Sequence, residues 1–236
     1  MTLGRMSVNN SGDFYSVVDA LENSAESNPT HTAITFRHTK ISYRELNQLT
    51  THLANALHAT GFRVGDVALL FLSKHTPHYL IAQYGVWKAG GTTLTVGMDI
   101  TTRDLYHMLQ QSGANTAFVA SNRYDQFKRA QVNTEARRVI VARHTDYLSR
   151  WDKLNFQLRY ERAGGHRIEQ RYTDMRWRDV LKLGAKAPEL NVTVSAETVA
   201  QLNPKNNLAP ITHHKLTPST TEHLRTASNC IITPDF

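Results

Sequence analysis

Gly85-Val86-Trp87-Lys88-Ala89-Gly90-Gly91-Thr92-Thr93-Leu94-Thr95-Val96, followed by Asp99-Ile100-Thr101-Thr102-Arg103-Asp104-Leu105, decides the fold of this 236-residue chain. A helix is expected to finish at Ala89. The Gly90-Gly91 pair then allows a tight turn, because glycine reaches positive φ at little steric cost. Thr92 to Val96 is a short β-type run, and a new helix is expected at Thr101 or Thr102, with Thr101 able to cap it. Helix, glycine turn, strand and capped helix is the grammar of an α/β layer structure.

Upstream, the pattern repeats. Ser42-Tyr43-Arg44-Glu45 has the form of a capping box, in which the serine hydroxyl accepts from the third helical N–H and the glutamate reaches back. Leu46, Leu49, Leu53 and Leu57 continue at spacings of three and four, and Gly61 supplies a stop. Val67 to Leu72 is a continuous apolar run, suited to a strand covered on both faces. Thr76-Pro77 opens another helix, with Thr as expected cap and Pro at the first helical position. Asp13 to Asn28 reads as an amphipathic helix with Phe14, Val17, Val18 and Leu21 on one face, ended by Pro29. Ala33 to Arg37 and Lys40 to Ser42 read as a hairpin.

Downstream, Thr101 to Gln111 is a helix closed by Ser112-Gly113, and Thr116 to Ala120 a strand. Tyr124 to Ala130 is a short helix, and Arg138 to Val141 another strand. Strands alternating with helices at this pitch predict βαβ units and a parallel sheet. After Arg143 the rhythm breaks: residues 144–175 are polar and basic, with a Gly164-Gly165 turn, and Arg176 to Leu181 forms one or two helical turns before Gly184. Residues 1–12 are polar and expected to be disordered. Residues 203–236, rich in Pro, Thr, Asn and His without apolar period, are expected to be disordered or loosely attached.

Bulk properties bound the function. One cysteine, Cys230, excludes an internal disulfide and any cysteine-based zinc cluster, which favours a reducing compartment. No apolar h-region opens the chain, and no run approaches the roughly 18 apolar residues of a membrane span. A cytoplasmic protein is expected. The net charge of +7 is concentrated: Arg123 to Lys186 holds 16 Lys and Arg against 8 Asp and Glu. Such a stretch could meet nucleic acid, an anionic membrane surface or phosphorylated ligands, but the interleaved acids favour an ordinary solvated face. No base-reading module accompanies it, so nucleic acid is not an expected partner.

No catalytic constellation is legible from spacing. His75-x-x-His78 and His213-His214 are the closest histidine pairs, and neither has a carboxylate or cysteine at ligand spacing, so solvated or capping roles are expected and no metal. The glycines between Gly85 and Gly91 follow a helix instead of opening one, and G-x-x-x-x-G-K-[ST] is missing, so this is no phosphate loop. Lys88, one residue before a helix end, is expected on the surface, serving the helix dipole.

Ile41-Ser42-Tyr43-Arg44-Glu45-Leu46 resembles the "L-T/S-Y-x-E-L" motif of the adenylate-forming superfamily of acyl-CoA synthetases, peptide-synthetase adenylation domains and luciferases. Val86-Trp87-Lys88-Ala89-Gly90-Gly91 resembles its "L/W-K-A-G-G" motif. Gly61 to Val67 is similar to its "G-x-x-x-G-D-x-V" turn, and Thr101 to Leu105 with Ser112-Gly113-Ala114 to its "T-P-x-E-L … S-G-A" continuation. The chain departs at Thr95, Gly97 and Met98, where the family often has prolines and an Asn, and at Thr102, where it has Pro. Trp177-Arg178-Asp179-Val180-Leu181, with Gly184 and Pro188 behind a basic stretch, is similar to bacterial long-chain fatty-acid CoA ligases.

The resemblance covers about residues 13–202 and implies a partial N-terminal domain of an acyl-CoA synthetase. In that family ATP and a carboxylate give an acyl-adenylate and pyrophosphate, and CoA then displaces AMP; ATP, Mg²⁺, CoA and a fatty acid are the implied cofactors and partners. Ser42, Tyr43, Glu45, Leu46, Lys88, Ala89, Gly90 and Gly91 are implied as structural motif residues, with no catalytic, cofactor-binding or metal-binding residue. The family's Ser/Thr/Gly-rich phosphate loop follows a segment resembling Glu197 to Leu202. Here Asn203-Pro204-Lys205-Asn206-Asn207-Leu208 stands in its place, so the expectation is a truncated or frame-shifted ligase fragment without adenylation activity of its own. A binding or scaffolding role beside another chain is the alternative. Self-association through exposed core surface and peripheral contact with the inner face of the plasma membrane through Arg143 to Arg178 are further expectations.

Overall fold

The computed structural model describes residues 16–149, 151–152, 171–188, 190, 192–195, 197–212 and 231–232. The predicted alternation is present: α1 (Val17–Ser27), β1 (Thr32–Phe36), β2 (Thr39–Ser42), α2 (Tyr43–Ala59), β3 (Val67–Phe71), α3 (Pro77–Lys88), β4 (Thr92–Thr95), α4 (Thr102–Ser112), β5 (Thr116–Ala120), α5 (Tyr124–Ala130) and β6 (Arg138–Ala142). After these come β7 (Met175–Arg176), α6 (Trp177–Gly184), β8 (Val199–Asn203), β9 (Ala209–Thr212) and β10 (Ile231–Ile232). The main sheet has the order β7-β6-β5-β3-β4-β8-β9. Every pairing in it is parallel except β8 with β9.

Alternation along the strands builds two cores. Ala68 and Leu70 of β3 join Phe118 and Ile140 on the face covered by α1, α2, α3 and α6. Leu69 and Phe71 join Ala117, Val119, Val139 and Val141 on the face covered by α4 and α5. Side chains two apart in a strand share a face, so a run apolar at every position must be covered twice.

The helix boundaries follow their caps. Ser42 accepts from Glu45 N at 3.3 Å while Glu45 Oε2 accepts from Ser42 N at 2.8 Å, so the capping box closes at α2. A second box, Ser16 with Asp19, starts α1; the predicted residues 13–15 lie outside the described ones. Thr101 caps α4 by accepting from Asp104 N, and Gly113 ends it at φ 62°. Thr76 differs from expectation. Its hydroxyl donates back to Ser73 O at 2.8 Å and caps no amide of α3.

Gly90 and Gly91 do different jobs. Gly90 takes φ +74°, the conformation the turn requires. Gly91 has no positive φ but lies against the Phe62 ring, where a Cβ would not fit.

Residues 203–212 correct the expectation of disorder from Asn203 onward. β9 pairs antiparallel with β8, with Leu202 opposite Pro210 and Asn203 opposite Ala209. The pair forms because β8 is already held: it joins β4 in parallel, Trp87 Nε1 donates to Ala200 O at 2.7 Å, and Thr92 Oγ1 donates to Val199 O at 2.9 Å. None of these contacts is local in sequence, so composition could not announce them. Ile231 and Ile232 pair in parallel with Thr35 and Phe36 of β1. The remainder of the tail, His213-His214, the Gly164-Gly165 turn and residues 1–12 lie outside the described residues.

Candidate functional site at the carboxyl edge of the sheet

In an open parallel sheet, ligands bind beyond the carboxyl ends of the strands, beside the point where the strand order reverses. Here β3 is followed on one side by β4 and on the other by β5, which sets that point at β3. The segments leaving this edge include Ser73 to Thr76 after β3, Ser121 to Arg123 after β5, Arg143 to Tyr147 after β6 and Asn203 to Leu208 after β8.

The Asn203–Leu208 turn sits where the family resemblance places a phosphate loop. Its backbone donors are used differently. A phosphate loop leaves successive backbone N–H groups free to point at the anion. Here Asn206 N donates to Asn203 O at 3.2 Å, Ala209 N donates to Asn206 O at 2.7 Å, and Lys205 N donates to Asn203 Oδ1 at 3.0 Å. The turn contains no glycine, and Asn207 and Leu208 both take positive φ, 41° and 56°. Lys205 is exposed and is its one cation. Among the described residues no group of three His, Cys, Asp or Glu is placed to hold a metal ion.

A second constellation at the same edge is not legible in the sequence. His78, at the second position of α3, is 3% exposed and lies 3.2 Å through Nε2 from Asp146 Oδ2. Asp146 also accepts from Arg178 Nε at 3.0 Å and from Arg143 N at 2.9 Å. Tyr147 and Trp177 meet the His78 ring edge-on, with centroids 4.8 and 4.9 Å away, and Trp177 Nε1 donates to Tyr147 Oη at 2.9 Å. Burial lowers the pKa of His78 and outweighs the pull of Asp146, so the imidazole is neutral near pH 7. Burial pushes Asp146 up, but the hydrogen bond and charge of His78, the Arg143 amide and Arg178 together bring it below its ordinary value. His78 is thus neither solvated nor a cap. Its carboxylate partner is 68 residues away, and no local spacing could show it. His75 is exposed, as expected.

The motif residues assemble elsewhere, as structure. Lys88 is 9% exposed and lies in the interior, contrary to the surface position expected of a helix-end lysine. Its ammonium donates to Glu22 Oε1 at 2.8 Å, Asn47 Oδ1 at 2.6 Å and Thr51 Oγ1 at 3.0 Å. All three of its N–H bonds are used, and the stem is buried by packing of α1 and α2 on α3. These contacts join the stretch around Leu46 to the stretch around Gly90. Tyr43 and Leu46 are buried at the start of α2, and Ala89 is fully buried. Ser42 and Glu45 form the cap. Lys88, Gly90 and Gly91 lie where β4 begins, the edge opposite the strand carboxyl ends.

A third buried cluster ties β7 to α5. Tyr124 Oη donates to Asp174 Oδ2 at 2.5 Å, and Lys128 Nζ donates to the same oxygen at 3.0 Å. Burial is the largest influence pushing the Tyr124 phenol up to about 12. Among the described residues no helix is long and apolar enough to cross a membrane.

Comparison with known proteins agrees with this architecture. The AMP-binding enzyme profile matches residues 21–203. Bacitracin synthase 2 of Bacillus licheniformis is 32% identical over 98 residues, 42% of this chain and 4% of that protein. The anthranilate CoA ligase AuaEII, solved with anthranoyl-AMP, superposes with a TM-score of 0.67 at 15% identity, covering 87% of this chain and 36% of its own. The long-chain-fatty-acid-CoA ligase FadD1 of Archaeoglobus fulgidus superposes with a TM-score of 0.61 at 21% identity, over 80% of this chain and 34% of its own. This chain therefore spans about a third of those two ligases. It belongs to the AMP-binding enzyme family, with the α/β fold of the N-terminal part of adenylate-forming ligases.

Proposed function

We propose that this chain is the N-terminal part of an ATP-dependent ligase that activates a long-chain fatty acid as its acyl-adenylate for transfer to CoA, and that the chain alone does not carry out adenylation. The Asn203–Leu208 turn carries the second half of that reading. It stands directly after the family-matched residues and spends the amides of Lys205, Asn206 and Ala209 on its own closure. In-line transfer from ATP needs preorganised donors around the phosphates, and this turn offers one exposed lysine. The fatty-acid assignment is supported by the Trp177–Leu181 segment, which starts α6, and by the basic stretch before it. Peptide synthetases and aryl-CoA ligases share the same fold, so they are the competing classes.

The test is ATP–pyrophosphate exchange by the purified chain with palmitate, anthranilate and a mixture of amino acids. No exchange is expected, and exchange with any of the three overturns the claim of inactivity. The contribution of residues 16–202 to acyl choice is read from a chimera in which they replace the matching part of the anthranilate CoA ligase AuaEII. Exchange with palmitate is the expected result, and exchange confined to anthranilate or an amino acid refutes the fatty-acid assignment.

Peripheral association with anionic membranes is a second reading, favoured by the positive charge between Arg123 and Lys186 and by the exposed Trp151 and Tyr172. Flotation with vesicles containing phosphatidylserine should carry the chain upward at low salt and not at about 0.5 M salt, where screening is strong; absence of flotation at low salt removes it.

A further inference from the structure

His78, Asp146 and Arg178 come from three elements, each following the carboxyl end of a different strand: α3 after β3, the turn after β6, and α6 after β7. Asp146 is the hub. Its two carboxylate oxygens and its carbonyl take donors from His78, Arg178 and the Arg143 amide. The next residue extends the knot: Tyr147 takes the Trp177 indole on its hydroxyl and the Thr39 hydroxyl on its carbonyl. One short turn thus joins α3, α6 and the β1–β2 hairpin.

We infer that His78 is a proton-operated latch: neutral, it fastens the Arg143–Tyr147 turn to α3 and α6, and on gaining a proton it releases the turn. A neutral imidazole donates one N–H to Asp146 while its carbon edges fill the space between Tyr147 and Trp177. An imidazolium in the same place is nearly buried, sits at the amino end of α3 where the helix dipole opposes positive charge, and competes with Arg178 for one carboxylate. The charged and titratable groups facing it are Asp146 and Tyr147 from the turn and Arg178 from α6, and Tyr147 stays neutral because burial raises its pKa. Burial is the largest influence against the proton, with Arg178 and the dipole adding to it, and the single carboxylate does not outweigh them.

The sign follows from the direction of the shift. The folded value of His78 lies below 6.5, the value of a free imidazole. Between the two, the open state binds more protons than the latched one, so the latch is fully closed above pH 6.5 and opens as pH falls through the folded value. Asp146 acts in the same direction, but only below its ordinary 3.8, which separates the two groups.

The experiment is proton NMR of the full chain from about pH 7.5 to about pH 5, the range in which a histidine titrates. One histidine ring in contact with Trp177 should titrate with a midpoint below 6.5, and the Trp177 indole N–H, assigned with Trp177→Phe, should shift with the same midpoint. His78→Gln keeps an N–H toward Asp146 and cannot take up a proton, so its indole signal should stay flat over this range. A His78 midpoint at or above 6.5, an indole that does not move as His78 titrates, or an equal response in His78→Gln overturns the latch. If His78→Gln fails to fold, agreement or disagreement of the two wild-type midpoints still decides.

Discussion

Two turns bracket β4 and its neighbour β8: Gly90-Gly91 leads into β4, and Asn203–Leu208 leads out of β8. In the first, residue type and conformation agree, since the position needing positive φ is a glycine and the position crowded by Phe62 is a glycine. In the second, positive φ falls on Asn207 and Leu208, residues with a Cβ. A turn of that kind is stabilised by the strands it connects, because left-handed backbone costs an L-residue about 1–2 kcal/mol. The first turn makes the sheet; the second is made by it.

Substitutions can break this contrast. Gly90→Ala combines left-handed backbone with a Cβ 2.9 Å from Val64 Cγ2, and should cost about 2–3 kcal/mol in urea unfolding. A cost below about 1 kcal/mol would show that the first turn tolerates strain as the second does. Lys88→Ala should cost about 2 kcal/mol, because Asn47 and Thr51 lose a charged donor while the half-exposed Glu22 rehydrates. Trp87→Phe removes the 2.7 Å bond to the Ala200 carbonyl, which also accepts from Thr93 Oγ1 at 3.1 Å. About 1 kcal/mol is expected, with faster amide exchange in β8 and β9 than in β3; uniform exchange would show that the hairpin does not depend on α3. The smallest effect is Asn207→Gly, which should gain about 0.5 kcal/mol by relieving φ 41°. A loss there would mean that the asparagine side chain itself holds the turn.

The same contrast explains what is legible in the sequence. Ser42 and Glu45, Thr101 and Asp104, Gly90 and Gly113 act within four residues of themselves, and caps and glycine stops are chemistry that residue types spell out. Lys88, His78 and β9 depart from expectation because their partners are remote: Glu22 is 66 residues from Lys88, Asp146 is 68 from His78, and β9 forms on a strand held by Trp87 from 113 residues away. A lysine near a helix end reads as solvated until a second and third helix close over it.

Residue type and short-range period set the alternation of strands and helices, the caps and stops and the two-sided covering of β3, while the ordered motifs carry the resemblance to the family. The strand order, the pairing of residues 203–212, the interior position of Lys88 and the meeting of His78 with Asp146 emerge in three dimensions alone. Those depend on which distant groups are brought within hydrogen-bonding reach, and on how far burial shifts a charge that would be indifferent in water.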